Sequence, residues 1–242
     1  APVALTSQDY KGRPGFRGKA LMTQAAAKEM IDTSAKLGWQ LGIHAIGDAA
    51  IEQVVQFYDS ALQQRPNKDH RWFLSHVTML PSVETLDLMA KDGICTTAQP
   101  NFLYNLEGRY VDTLDGARLE HINPVGTPLA HRVFSAFSSD NLPIGPMVGN
   151  YAAPTRKGSS GRVFGGEEAI SREQAITMYT RNGAYFTWEE KHKGTLEPGK
   201  FADMIVLDRD PLTVREDELL ATRIDLTVVV GKIVYRRAES TQ

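Results

Sequence analysis

At 242 residues, 42% hydrophobic and 23% charged, the chain has the size and composition of a globular protein with one substantial domain, or a domain plus an appendage. A formal net charge of −2 gives no electrostatic basis for binding nucleic acid or an anionic membrane surface, and no apolar run is long enough to span a bilayer. The single cysteine, Cys95, excludes an intrachain disulfide framework; it lies in the apolar run GICTTA, reads as a small buried hydrophobe and fits a reducing, cytoplasmic setting.

In chain order, residues 1–18 are rich in Gly, Pro and polar residues and read as a loop. The start has no charged segment followed by an apolar one, and it lacks a methionine, so Ala1 is not expected to be the native start. Residues 19–37 have helical composition, with Leu21, Ala25, Met30 and Leu37 as the expected buried face and Gly38 as the stop. The run WQLGIHA (39–45) is short and apolar, as for a strand covered on both faces. Residues 48–64 return to helix, with Ile51, Val54, Val55, Tyr58 and Leu62 on one stripe.

The alternation then repeats. RWFLSH (71–76) reads as a strand, and Ser82 as the N-cap of a helix over 83–92 with Glu84 near its positive end and Gly93 closing it. ICTTAQ (94–99) is the third strand. An insertion over 100–124 and a short helix ending near His131 lead to VFSAFS as the fourth. Residues 141–170 hold nine glycines and prolines and read as a large functional loop; a helix over 172–187 follows the N-cap candidate Ser171. The tail is different: 194–211 and 226–237 are alternating, valine-rich strands with Pro-Gly and Gly-Lys turns.

His44, His76 and Asp140 each close one of the apolar runs, at intervals of 32 and 64 residues. A strand, a crossover helix and two loops take about 30 residues, so these intervals fit one and two β/α units. In a parallel barrel the reactive side chains gather at the C-terminal strand ends. Two imidazoles and a carboxylate there point to a metal site. Four such strands leave two unpaired edges, which is expected of half a barrel.

These residues resemble the amidohydrolase superfamily, in particular its YtcJ-like group of metal-dependent hydrolases. HAIGDAAIE (44–52) is similar to the strand-five motif, SHVTMLP (75–81) to the strand-six motif and SSDNLP (138–143) to the strand-eight motif. GTLEPGKFADMIVLDRDP (194–211) resembles the C-terminal signature, where the chain returns to a β-sandwich beside the barrel. The resemblance implies an α/β fold: residues 1–190 would be the C-terminal half of a TIM-type (β/α)8 barrel, carrying strands five to eight, and 191–242 strands of a small β-sandwich appendage. It implies His44 and His76 as ligands of a divalent metal, most simply zinc, with one or two ions in the complete enzyme, and Asp140 as ligand and proton shuttle. The family's His-x-His pair and its strand-four bridging residue have no counterpart here, so the metal site is expected to be incomplete, and the fragment alone inactive.

The implied reaction is hydrolysis of a C–N bond in an amide, N-acyl or cyclic amide, with Asp140 acting as general base and then general acid. Asn101 and Tyr104, on the loop after the third strand, are substrate-binding candidates. Residues 155–166 have the glycines of a hinged lid, on which Lys157 and Arg162 could meet an anionic substrate. The expected partners are a small-molecule substrate and either a missing N-terminal half or a second copy of the chain. The competing reading is a non-catalytic barrel fragment serving as an assembly or binding partner.

Overall fold

A computed structural model describes residues 4–141 and 145–238. The strands β1 (Gly42–Ala45), β2 (Phe73–His76), β3 (Cys95–Ala98) and β4 (Ser135–Phe137) form one parallel sheet in the order β1-β2-β3-β4. The register pairs Ala45 with His76, Ser75 with Thr97, and Thr97 with Ala136, so all four C-terminal ends lie along one edge. Helices α1 (Gln24–Leu37), α2 (Asp48–Gln64) and α3 (Val83–Asp92) alternate with the first three strands.

Local chemistry explains these boundaries. The Ser82 hydroxyl accepts from Thr85 N at the head of α3, and Gly93 ends it in the left-handed region at φ 71°. α2 begins with Asp48, whose carboxylate also receives Ser7 N at 2.9 Å and fastens the N-terminal segment to the helix. The stripe Ile51, Val54, Val55 and Tyr58 is buried, together with Ile31, Trp72, Leu74, Leu86, Met89 and Ile94. This is the main core. It lies between the helices and β2, and burial of each large side chain in it contributes about 1.5–3 kcal/mol.

Several expectations need correction. α1 begins at Gln24, because Thr23 caps it; Leu21 precedes the cap and is 89% exposed. The buried side of α1 is Ile31 and Ser34, while Met30 and Leu37 are exposed. β1 is not covered on both faces: Gly42 and His44 are exposed, as befits a strand at the end of the sheet. Gly42 is needed for another reason, since a Cβ there would stand 2.2 Å from the Phe73 ring.

The insertion over 100–124 is largely helical, with α4 (Asn101–Asn105), α5 (Glu107–Thr113) and α6 (Gly116–Glu120) preceding α7 (Gly126–Ala130). Residues 141–170 are not one loop. Pro146 opens helix α8 (Pro146–Thr155) and Pro154 falls in its last turn, so here the prolines mark the helix rather than break it. The helix expected over 172–187 is two, α9 (Arg172–Tyr179) and α10 (Arg181–Phe186), divided at Thr180 (φ −118°, ψ −86°). Ser171 and Gln174 form a capping box at the start of α9.

The tail forms a second sheet, antiparallel, of β5 (Met204–Leu207), β6 (Ile224–Val229) and β7 (Lys232–Arg236), with helix α11 (Glu216–Leu219) between β5 and β6. An ion pair between Lys157 and Glu216 ties α11 to the segment after α8. Leu142 and Pro143 of the strand-eight motif lie outside the described residues. No helix among the described residues is long and apolar enough to cross a membrane.

Arg71 clamps the N-terminal end of β2 to the segment after α10. Its guanidinium is buried between the Tyr185 ring, 4.0 Å away, and the Trp188 ring, 4.8 Å away. It donates to both oxygens of Glu190 at 2.9 and 3.0 Å, to Asp69 at 2.6 Å and to the Tyr185 carbonyl. Stacking and charge-assisted hydrogen bonds lost together are worth about 2–4 kcal/mol. Arg71→Ala should therefore lower the urea midpoint by that equivalent, and a change below about 1 kcal/mol would show that the clamp is not a stabilising element.

Candidate active site

His76 closes β2 and is 5% exposed in its side chain. Its Nε2 lies 2.6 Å from Nδ1 of His44, one strand away, and 3.9 Å from Oδ2 of Asp140, which follows β4. The three sequence-predicted residues therefore meet at one mouth of the parallel sheet. The His44 and His76 rings are 4.6 Å apart between centroids and inclined at 57°. Phe102, on α4, stacks on the other side of His76 at 5.8 Å.

His76 is held from behind by Gln99, the residue after β3. The Gln99 Oε1 lies 2.8 Å from His76 Nδ1, and its Nε2 donates to Thr97 O at 3.0 Å and to Ser138 Oγ at 2.7 Å. Asn101 donates from Nδ2 to Ser139 O at 3.0 Å and so supports the residue before Asp140. Asn101 is fully buried, and its Oδ1 has no hydrogen-bond partner among the described residues. Tyr104 is half-buried, edge-on to Tyr151 at 5.9 Å.

The sequence alone does not single out Gln99. The signal was there: like His44 and His76, it ends an apolar run at the C-terminal edge of the sheet, but an amide has no metal-ligand signature. The expected lid is also different from a free loop. Lys157 and Val163 pair as an antiparallel bridge, and Glu107 on α5 accepts from Ser159 Oγ at 2.9 Å and Ser160 N at 2.7 Å. Buried Arg156 binds the Phe164, Asn123 and Ile122 carbonyls at 2.9, 2.8 and 2.5 Å. The loop's cations are engaged as well, Lys157 with Glu216 and Arg162 with Glu120.

The donor chemistry fits a divalent ion in type: two imidazole nitrogens, 2.6 Å apart, with a carboxylate oxygen 3.9 Å from one of them. Among the described residues no group of three or more His, Cys, Asp or Glu side chains is gathered closely enough to hold an ion.

A parallel α/β sheet with histidines and an aspartate at its C-terminal edge places reactive side chains where strand-end active sites are found. The chain belongs to the amidohydrolase family, whose sequence profile matches residues 1–235. It is 28% identical to the protein named "Putative amidohydrolase YtcJ" of Bacillus subtilis (strain 168), over 98% of this chain and 45% of that protein. It is also 28% identical to the N-substituted formamide deformylase of Arthrobacter pascens, over 99% of this chain and 44% of that one. The crystal structure of an uncharacterized metal-dependent hydrolase from Pyrococcus furiosus superimposes with a TM-score of 0.72 at 28% identity, covering 87% of this chain and 42% of that one. The chain thus spans less than half the length of each of these three proteins.

Burial, reinforced by the neighbouring His44, holds the His76 imidazole below its ordinary value of 6.5, against the opposing pull of Gln99 and Asp140. The folded state then binds fewer protons at this site than the unfolded chain, so its contribution to stability is complete above about pH 6.5 and declines as the pH falls through the window beneath. In the metal-free protein, the urea midpoint should fall on acidification through that window, and His76→Asn should flatten the decline. Equal slopes in the two proteins would remove His76 as the titrating group.

Proposed function

We propose that this chain carries the C-terminal strands of a TIM-type barrel from a metal-dependent amidohydrolase that cleaves a C–N bond in an amide, N-acyl or cyclic amide. The observation that carries the reading is the meeting of His44 Nδ1, His76 Nε2 and Asp140 Oδ2 at one end of the parallel sheet. Support for the bond class comes from the Arthrobacter pascens relative, a deformylase of N-substituted formamides. The non-catalytic reading is less favoured, because a structural role gives no reason for two imidazoles and a carboxylate to converge at an exposed edge.

His44 and His76 are the residues that would hold a divalent ion, with zinc as the simplest choice, and Asp140 would complete their side of the site. Such an ion supplies Lewis acidity toward a carbonyl oxygen and lowers the pKa of water to about 7. Asp140, one-third exposed, is reachable by water; its carboxylate would take a proton at Oδ2 and return it to the leaving nitrogen. Phe102 stacks on the His76 ring and would restrain its tilt. Tyr104, half-buried on α4, is assigned to substrate, and Asn101, fully buried beside it, would serve the substrate side by holding Ser139, the residue before Asp140.

In the complete enzyme, Asp140→Asn should retain most of the metal while losing about 10²–10⁴-fold in turnover, the usual share of proton transfer. His44→Ala and His76→Ala should lower metal occupancy, read by elemental analysis. Turnover near the parent value in Asp140→Asn would end the proton-shuttle assignment.

The outer edges of β1 and β4 have no strand partner among the described residues, and Ile205, Val229, Ile233 and Val234 are exposed on the second sheet. Unpaired edges and apolar surface of this kind favour association, so the partner we propose is an N-terminal barrel half or a second copy of the chain. Light scattering on residues 1–242 alone should report self-association. A monomer with a cooperative melt would overturn this part of the reading.

A further inference from the structure

The hydrogen bonds around Gln99 have only one consistent direction. Thr97 O is a backbone carbonyl and can only accept, so the Gln99 atom 3.0 Å from it is the amide nitrogen. The same nitrogen reaches Ser138 Oγ at 2.7 Å. This leaves the Gln99 Oε1, an acceptor without hydrogens, facing His76 Nδ1 at 2.8 Å. A neutral His76 must then carry its proton on Nδ1 and present a lone pair at Nε2, the atom turned toward His44 and Asp140. With that tautomer, the contact to His44 Nδ1 at 2.6 Å requires His44 to be the donor.

We propose that Gln99 is a positioning residue that fixes the His76 tautomer and, through Ser138, couples it to the end of β4 that leads into Asp140. The inference deepens the metal-dependent reading above and rests on it for its consequence, not for its geometry. One amide, placed on the middle of three consecutive strand ends, bonds to the histidine on one side and the approach to the aspartate on the other. Its own anchor, Thr97 O, belongs to β3, so the orientation is inherited from the sheet. Hydrogen bonding of this kind to the remote nitrogen of a ligating histidine sets ring orientation and raises ligand basicity.

Two substitutions separate the roles. Gln99→Glu keeps an acceptor for His76 Nδ1 and removes the donor to Thr97 O and Ser138; Gln99→Leu removes both functions. Nitrogen-15 NMR of ion-free protein at mildly alkaline pH should find His76 as the Nδ1–H tautomer in the parent and in Gln99→Glu, and as a mixture of tautomers in Gln99→Leu. Zinc titration should find affinity reduced by about 10–100-fold in Gln99→Leu and by less in Gln99→Glu. A purely structural role for Gln99 would harm Gln99→Glu, which buries a carboxylate, at least as much as Gln99→Leu, and would leave the tautomer unchanged in both.

An Nε2–H tautomer in the parent overturns the proposal whether or not Gln99→Leu folds, and so does an unchanged Nδ1–H tautomer in a folded Gln99→Leu. The metal reading fails by a different result: zinc affinity in the parent that is insensitive to His44→Ala and His76→Ala, with the tautomer shift intact.

Discussion

Parallel hydrogen bonding in sequence order, from β1 through β4, is the constraint on which the site depends. Because the strands run in one direction, the residue that ends each of them is delivered to the same edge, however far apart the residues stand in the chain. The ladder also continues past the strands. Val77 N donates to Ala45 O at 3.0 Å, Met79 N to Ile46 O at 3.0 Å, and Ser138 N to Ala98 O at 2.9 Å. His76 and the approach to Asp140 therefore sit on backbone that is still tied to its neighbour strand, which is a firmer foundation than a free loop.

Where the ladder stops, the backbone turns sharply. His76 (φ 82°), Val77 (φ 49°) and Asp140 (φ 56°) are all left-handed, a conformation that costs a non-glycine residue about 1–2 kcal/mol. Each is held by something specific: Val77 is buried and hydrogen-bonded, His76 is fixed by Gln99, and Asp140 receives its neighbour Asn141 N at 2.6 Å. Positive φ alone does not mark a site here. Arg71 and Arg156 share it, and both guanidinium groups are consumed in structural hydrogen bonds. What distinguishes His76 and Asp140 is that the turn aims their polar atoms at each other.

The parts of the molecule legible in the sequence were those with a strong local signal. α2 and α3 fall at 48–64 and 83–92, as their sequences predict, because an apolar stripe marks the first and the Ser82 cap with the Gly93 stop marks the second. The strand-ending histidines were readable from spacing, since the β/α unit imposes it. The buried face of α1 was misread because Leu21 lies outside the Thr23 cap, and only tertiary contact selects Ile31 over Met30. The exposure of β1 depends on which strands flank it, and its apolar composition carries no record of that. α8 was hidden because proline and glycine were counted rather than placed: Gly145 at the cap, Pro146 at the first turn and Pro154 at the last are all compatible with a helix. Gln99 was hidden because its role is relational, arising only when Thr97 O and His76 are both in view.

The site is also graded in rigidity from the middle of the sheet outward. His76 belongs to an interior strand, is buried, stacks on Phe102 and is bonded at both ring nitrogens. Asp140 is one-third exposed, at the end of the outer strand β4. His44 is exposed on the edge strand β1, and among the described residues its ring nitrogens bond only His76. The interior imidazole is thus fixed by the chain's own core, whereas the edge imidazole takes its orientation from its partner across the mouth. Any strand that pairs with the free side of β1 would stiffen His44 directly, by restraining the backbone that carries it, and would do far less to His76. Pairing along that edge and the orientation of the two imidazoles would thus be linked through a single residue, His44.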